Sequence, residues 1–97
     1  IYKGKTLVEA AQRLGIPMEA VAFMGDDLND LPAFSRAAYS FAPKDAAPEV
    51  AARADYVCEK KGGEGAVREV CEKILKAKGL WDGIVEGYLV KGYGDRQ

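Results

Sequence analysis

Three carboxylates and a carboxamide crowd into five residues: Asp26, Asp27, Asn29 and Asp30 follow directly on Gly25 and are interrupted only by Leu28. Carboxylates this close repel one another, and a shared hard cation relieves the repulsion. Magnesium suits so incomplete a set, because it takes one or two protein carboxylates and completes its shell with water and phosphate oxygens. A calcium-binding EF-hand is excluded, since Leu28 stands at the third loop position, where an oxygen ligand is required. Asp and Asn also serve as helix caps and turn residues. Capping explains two of these side chains and leaves the third acid unexplained.

Other charges are candidates for the same chemistry. Lys3 and Lys5, expected just before the first helix, could neutralise a phosphate beside the metal or remain solvated surface charges. The loop Gly62-Gly63-Glu64-Gly65 precedes a helix, as anion-binding loops do. It lacks the Gly-Lys-Ser/Thr ending of a P-loop, and Glu64 opposes an anion, so a tight turn is the simpler expectation. Arg68, one turn further on, has two uses open to it: contact with an anionic substrate, or pairing with Glu64 or Glu72 at helical spacing. The chain contains no histidine. It therefore cannot by itself build a Ser/His/Asp or Cys/His triad or a His-containing zinc site. Chemistry must run on carboxylates, lysines, arginines and hydroxyls.

The apolar pattern predicts what holds these groups. Leu7, Ala10, Ala11 and Leu14 recur at helical spacing from about Thr6, with Gly15 placed for a C-terminal cap. Residues 21–24 form an apolar run, expected as a strand buried on both faces, that ends at the acid cluster. Asp30 is placed to cap a short helix through Pro32, Ala33 and Phe34. Strands are expected at 38–41 and 55–58, with a helix over 48–52 between them. Val67, Val70, Cys71, Ile74 and Leu75 mark the clearest amphipathic helix, closing near Gly79. Alternating helices and strands predict a parallel sheet with right-handed crossovers, the three-layer, Rossmann-like α/β class. In such sheets ligands bind beyond the carboxyl ends of the strands, where the acid cluster falls. Three strands make only a partial sheet, so others are expected from residues outside this chain or from another chain.

Composition narrows the classes. The 97 residues carry 14 basic and 15 acidic side chains, for a net charge of −1. That leaves no positive field to attract nucleic acid or anionic lipid, and no apolar run approaches the ~18 residues of a membrane span. A chain this short buries roughly 60–65% of its unfolded surface, so its stability is marginal unless partners cover it. Cys58 and Cys71 have neither CxxC spacing nor a second pair, and Cys71 falls on an apolar stripe; both are expected as reduced thiols of a cytoplasmic protein. The start at Ile1, a few residues before the first helical pattern, is the start expected of a piece of something larger.

Together these motifs carry a resemblance. VAFMGDDLNDLP over residues 21–32, APKDAAPEV over 42–50 and ADYVCEKKGGEGAVREVCEKILKAKGLW over 54–81 resemble the C-terminal half of haloacid dehalogenase-like phosphatases of the 3-deoxy-D-manno-octulosonate 8-phosphate phosphatase type. GDxxxD alone marks the superfamily; its combination with GGxGAVRE marks this subfamily and its sialic-acid and nonulosonate relatives. The resemblance runs from Lys3 to Trp81. It implies a HAD-like fold and magnesium-dependent hydrolysis of a sugar-acid phosphate through an aspartyl-phosphate. It further implies a cytoplasmic homotetramer, serving lipopolysaccharide biosynthesis, in which neighbouring subunits close the active site.

Residue by residue, the resemblance makes Asp26 the direct metal ligand and Lys3 the lysine beside the phosphate, with Lys5 the alternative. Asp27 and Asp30 support the metal and its waters or orient that lysine, and Asn29 and Arg68 are the substrate-binding candidates. The family's Asp-x-Asp motif, which carries the nucleophile and the general acid and base, has no counterpart here, nor does the Ser/Thr that holds the phosphate. Ala38 stands where glycine is usual, and Glu64 where a basic residue is frequent. Residues 1–79 are thus expected to be the C-terminal part of a HAD-like core, and residues 80–97 an apolar tail making an inter-subunit contact. Two functions follow: a phosphatase portion, inactive alone and completed by an N-terminal segment, or a non-catalytic domain kept for assembly, as in some nucleotide-sugar synthetases. The intact acid cluster favours the first, and the missing nucleophile the second.

Overall fold

The computed structural model describes residues 3–90. Its sheet has three parallel strands, β1 (Ala22–Met24), β2 (Tyr39–Ala42) and β3 (Tyr56–Val57), in that order, with Met24 opposite Phe41 and Phe41 opposite Tyr56. The helices are α1 (Lys3–Leu14), α2 (Leu31–Arg36), α3 (Pro48–Ala51), α4 (Ala66–Ala77) and α5 (Trp81–Val90). This is the α/β alternation expected from the apolar pattern.

Alternation along β2 divides the core. Phe41 packs with Cys58, Ala66 and Val70 beneath α4, whereas Ala42, next along the strand and so on the other face, packs with Phe34 of α2 and Val50 of α3. Edge-to-face ring pairs reinforce each side: Phe41 meets Tyr56 at 6.2 Å, and Phe23 meets Phe34 at 6.1 Å between centroids. Helices on both faces of a parallel sheet make the three layers.

Three expectations need correction. α1 begins at Lys3 rather than near Thr6, so Lys3 and Lys5 lie inside its first turns. Tertiary contact extends it: Gly4 lies so close to α2 that a Cβ there would sit 2.9 Å from the Pro32 carbonyl oxygen. The first strand is not buried on both faces, because β1 is an edge among the described residues, with Ala22 exposed and Phe23 and Met24 half-buried. Cys71 is exposed, since the buried side of α4 runs through Ala66, Val70 and Ile74 and Cys71 is rotated off it; Cys58 is the buried thiol, and both are free. Residues 81–90 of the apolar tail form α5, helical despite Gly83 and Gly87; Tyr93, Gly92 and Gly94 lie outside the described residues. No helix among the described residues is long and apolar enough to cross a membrane.

Candidate functional site

The acid cluster sits where β1 runs out. Gly25 N–H donates to the Phe41 carbonyl at 3.0 Å, carrying the ladder one residue past Met24, and the chain then turns. The Asp26 peptide is held on both sides: its N–H donates to Asp30 Oδ2 at 2.9 Å, and its carbonyl accepts from Ala47 N–H at 2.9 Å. Asp27, extended at φ −129° and ψ 166°, caps a 3-10 turn over Leu28–Asp30, accepting Leu28 N–H at 2.8 Å. Its own N–H donates to Asp30 Oδ2 at 3.1 Å, closing a reciprocal capping box.

Asp30 therefore does not cap α2 as expected. Its backbone is already helical, at φ −86° and ψ −15°, whereas a capping side chain needs an extended backbone. The carboxylate instead points back. One oxygen takes the two N–H groups of Asp26 and Asp27, and the other takes the Lys3 ammonium at 2.6 Å. Gly25 makes room for this, since a Cβ there would lie 2.5 Å from Asp30 Cβ.

Burial of Asp30, 4% exposed, pushes its carboxyl upward, but the Lys3 ammonium and the N–H groups of Asp27 and Asp26 outweigh that and hold it below the ordinary carboxylate value. Lys3 also donates to Asn29 Oδ1 at 3.3 Å. Two of its three donors are thus engaged, and a third is left for a ligand. Lys5 pairs instead with Glu9 along α1 at 3.9 Å, so Lys3 is the lysine that reaches the acid loop.

The three acids consequently have different uses. Asp30 is neutralised by Lys3 and main-chain donors, Asp27 caps a turn, and Asp26 is exposed with no hydrogen-bond or ion-pair partner for its carboxylate among the described residues. Among those residues no three acidic, cysteine or histidine side chains converge as a metal cage. Magnesium asks for only one or two protein carboxylates, so Asp26, with the less free Asp27 beside it, fits as part of a magnesium site.

Arg68 lies elsewhere. It lines a groove of about 520 Å³ with Trp81, Ile84, Val85, Tyr88 and Leu89, and no residue of the acid loop borders that groove. The pairing considered with Glu64 or Glu72 is not formed; Glu72 instead pairs with Lys76 at 3.0 Å. The glycine-rich loop is a turn, with Gly63 and Gly65 at φ 76° and 107° and the Gly62 N–H donated to Asp45 Oδ1 at 2.9 Å. Sequence reasoning overlooked Asp45 and Glu69, whose carboxylates organise these loops. Glu69 stood in view within GGEGAVRE, an acid in the first turn of a helix, where carboxylates are favoured.

Residues 1–70 match the haloacid dehalogenase-like hydrolases. The chain belongs to that family. It is 48% identical, over an 87-residue alignment covering 84% of this chain and 46% of the relative, to 3-deoxy-D-manno-octulosonate 8-phosphate phosphatase KdsC of Escherichia coli K12. The KdsC of Salmonella typhimurium matches to the same extent. Among solved structures, the cobalt-bound deoxy-D-mannose-octulosonate 8-phosphate phosphatase of Haemophilus influenzae superposes with a TM-score of 0.86 at 36% identity, over 91% of this chain and 53% of that one. The Moraxella catarrhalis phosphatase, in complex with magnesium, phosphate and KDO, gives 0.85 at 39% identity, over 90% and 50%. This haloacid dehalogenase-like chain thus spans about half the length of the relatives it matches.

Proposed function

We propose that the chain forms part of a magnesium-dependent phosphatase acting on a sugar-acid phosphate, 3-deoxy-D-manno-octulosonate 8-phosphate or a close nonulosonate phosphate. The observation that carries this reading is the pairing of Lys3 with Asp30 at 2.6 Å, in a loop that leaves the Asp26 carboxylate free at the carboxyl end of β1. Relatives named for this substrate, one of them solved with magnesium, phosphate and KDO, support the choice.

In this reading Asp26 holds the metal, and Asp27, fixed as a turn cap, stands beside it as a second oxygen donor. Bound magnesium would draw off negative charge from the phosphoryl group. Lys3, aimed by Asp30 and Asn29, sets its remaining N–H donor against a phosphate oxygen. Positive charge fixed in advance where the transferred group gathers negative charge lowers the barrier without reorganisation at the moment of reaction. The attacking carboxylate must come from an Asp-x-Asp segment, which these residues do not include. Arg68, lining a separate groove, is kept as a substrate-binding candidate apart from the metal and the lysine. Self-association through α5 completes the proposal: the helix is apolar around much of its circumference, and Val85 and Leu89 remain exposed.

The test is phosphate release by the intact protein that contains this chain, across eight- and nine-carbon sugar-acid phosphates with and without magnesium. Asp26→Asn is expected to lower kcat by about 100-fold or more, the scale of losing one group that stabilises developing charge. Near-wild-type turnover in that variant would overturn the metal assignment. Absence of turnover by the parent protein on every sugar-acid phosphate would favour an assembly role.

A further inference from the structure

Three loops meet at the carboxyl rim of the sheet, and one carboxylate ties down the outermost. Glu69, in the first turn of α4, accepts the Tyr56 hydroxyl at 2.8 Å and Glu59 N–H at 2.9 Å on Oε2, and Lys60 N–H at 2.9 Å on Oε1. The Lys60 carbonyl in turn accepts Lys44 N–H at 2.9 Å, and Gly62 N–H donates to Asp45 at 2.9 Å, joining this loop to the one after β2. That second loop then reaches the acid cluster, because Ala47 N–H donates to the Asp26 carbonyl at 2.9 Å. Hydrogen bonds at Lys60 and Ala47, joined by the covalent backbone of residues 44–47, therefore connect Glu69 to the peptide of Asp26.

We infer that Glu69 is a positioning residue for the acid loop, setting where the Asp26 carboxylate stands for the cation it binds. The inference rests on the metal role proposed for Asp26. Several observations separate it from ordinary helix capping. The carboxylate takes three donors, all from β3 and the loop that follows it, and none from its own helix. The main-chain donors it occupies belong to Glu59 and Lys60, the residues that lead into the glycine turn, and the Lys60 carbonyl carries the link onward. Hydrogen bonding to the N–H of Glu59 holds the Glu69 carboxyl below its ordinary value, so it stays ionised at neutral pH and keeps all three donors. Loss of a group that orients a metal ligand typically costs roughly 10–100-fold in metal affinity.

The experiment is Mn²⁺ binding to the intact protein, followed by electron paramagnetic resonance, alongside kcat and KM for magnesium-dependent phosphate release. Asp26→Asn identifies the site by abolishing the bound Mn²⁺ signal. Glu69→Ala is expected to weaken Mn²⁺ binding by about 10-fold, the lower end of what orienting partners contribute, and Glu69→Gln, which keeps an acceptor oxygen, to restore part of it. Val70→Ala, which thins the core under the same helix, serves as a control for lost stability and is expected to leave Mn²⁺ affinity unchanged. Glu69→Ala with unaltered Mn²⁺ affinity would overturn the inference, as would an equal loss in Val70→Ala. If the parent protein binds Mn²⁺ through Asp26 but hydrolyses no sugar-acid phosphate, the substrate reading fails while the positioning role is still decided by the affinities. If the parent protein shows no Asp26-dependent Mn²⁺ binding at all, the metal reading and the inference that rests on it fall together.

Discussion

Asp30 is a buried acid whose charge is compensated by three separate donors: the Lys3 ammonium and the N–H groups of Asp26 and Asp27. A carboxyl held below its ordinary value makes stability depend on pH with a definite sign. The folded protein binds this proton more weakly than the unfolded chain does, so the stabilisation is complete above the ordinary aspartate value of 3.8 and is lost as pH falls through the lower, folded-state value. Asp30→Asn removes the charge while keeping the shape. It is expected to cost on the order of 2 kcal/mol at neutral pH, the scale of charged hydrogen bonds, with the gap from the parent protein closing in acid. Urea denaturation of both proteins between pH 7 and pH 3 measures this. A gap that does not narrow in acid would mean that Asp30 acts through packing rather than charge.

The placement of Lys3 depends on an element-level contact, the approach of α1 to α2. Gly4 permits it, with any Cβ falling 2.9 Å from the Pro32 carbonyl oxygen. Helix propensity alone predicts that Gly4→Ala stabilises by about 1 kcal/mol. Crowding against a backbone oxygen predicts the reverse, a loss of about 1–2 kcal/mol, and a weakened Lys3–Asp30 pair as the helices separate. A thermal melt distinguishes the two signs, and a raised melting temperature would show that α1 shifts without consequence. This contact also marks the limit of what was legible beforehand. The parallel α/β order, the end of β1 at Met24 and the acid cluster could be read because each rests on local periodicity or on residue type. The start of α1 could not, since no apolar repeat reaches back to Lys3 and the helix is held there by a partner near residue 32. The reversal of Asp30 was hidden for a similar reason: composition shows an acid before Pro32 but not which way it turns, and Gly25, which makes room for that turn, has no side chain to signal it. Cys71 was misplaced because Cys71 and Val70 are adjacent in an apolar stretch, and only the direction of the sheet selects between them.

At the scale of the whole molecule, the described structure is elongated, with extents of 44 × 32 × 24 Å. Its radius of gyration of 15.4 Å exceeds the roughly 12–13 Å expected of a compact chain this long, and the largest fully buried side chain is Val50. Part of the exposed apolar surface lies on α5, where Val85, Tyr88 and Leu89 are 39%, 53% and 76% exposed, with Leu80 just before the helix at 52%. A helix this apolar normally lies against another surface, and the near-balanced net charge of −1 opposes no association of like chains. A second copy pairing α5 against α5 would cover that surface on both subunits at once, as isologous contacts do. Light scattering of the intact protein at micromolar concentration is therefore expected to give a multiple of the single-chain mass. Leu89→Glu, which sets a charge on the most exposed of these side chains without touching Lys3 or the acid loop, is expected to shift the protein to the single-chain mass. If the parent protein already scatters as one chain, α5 is not a self-association surface and its apolar face serves a different partner. If Leu89→Glu leaves an assembled parent assembled, the contact between copies lies outside α5.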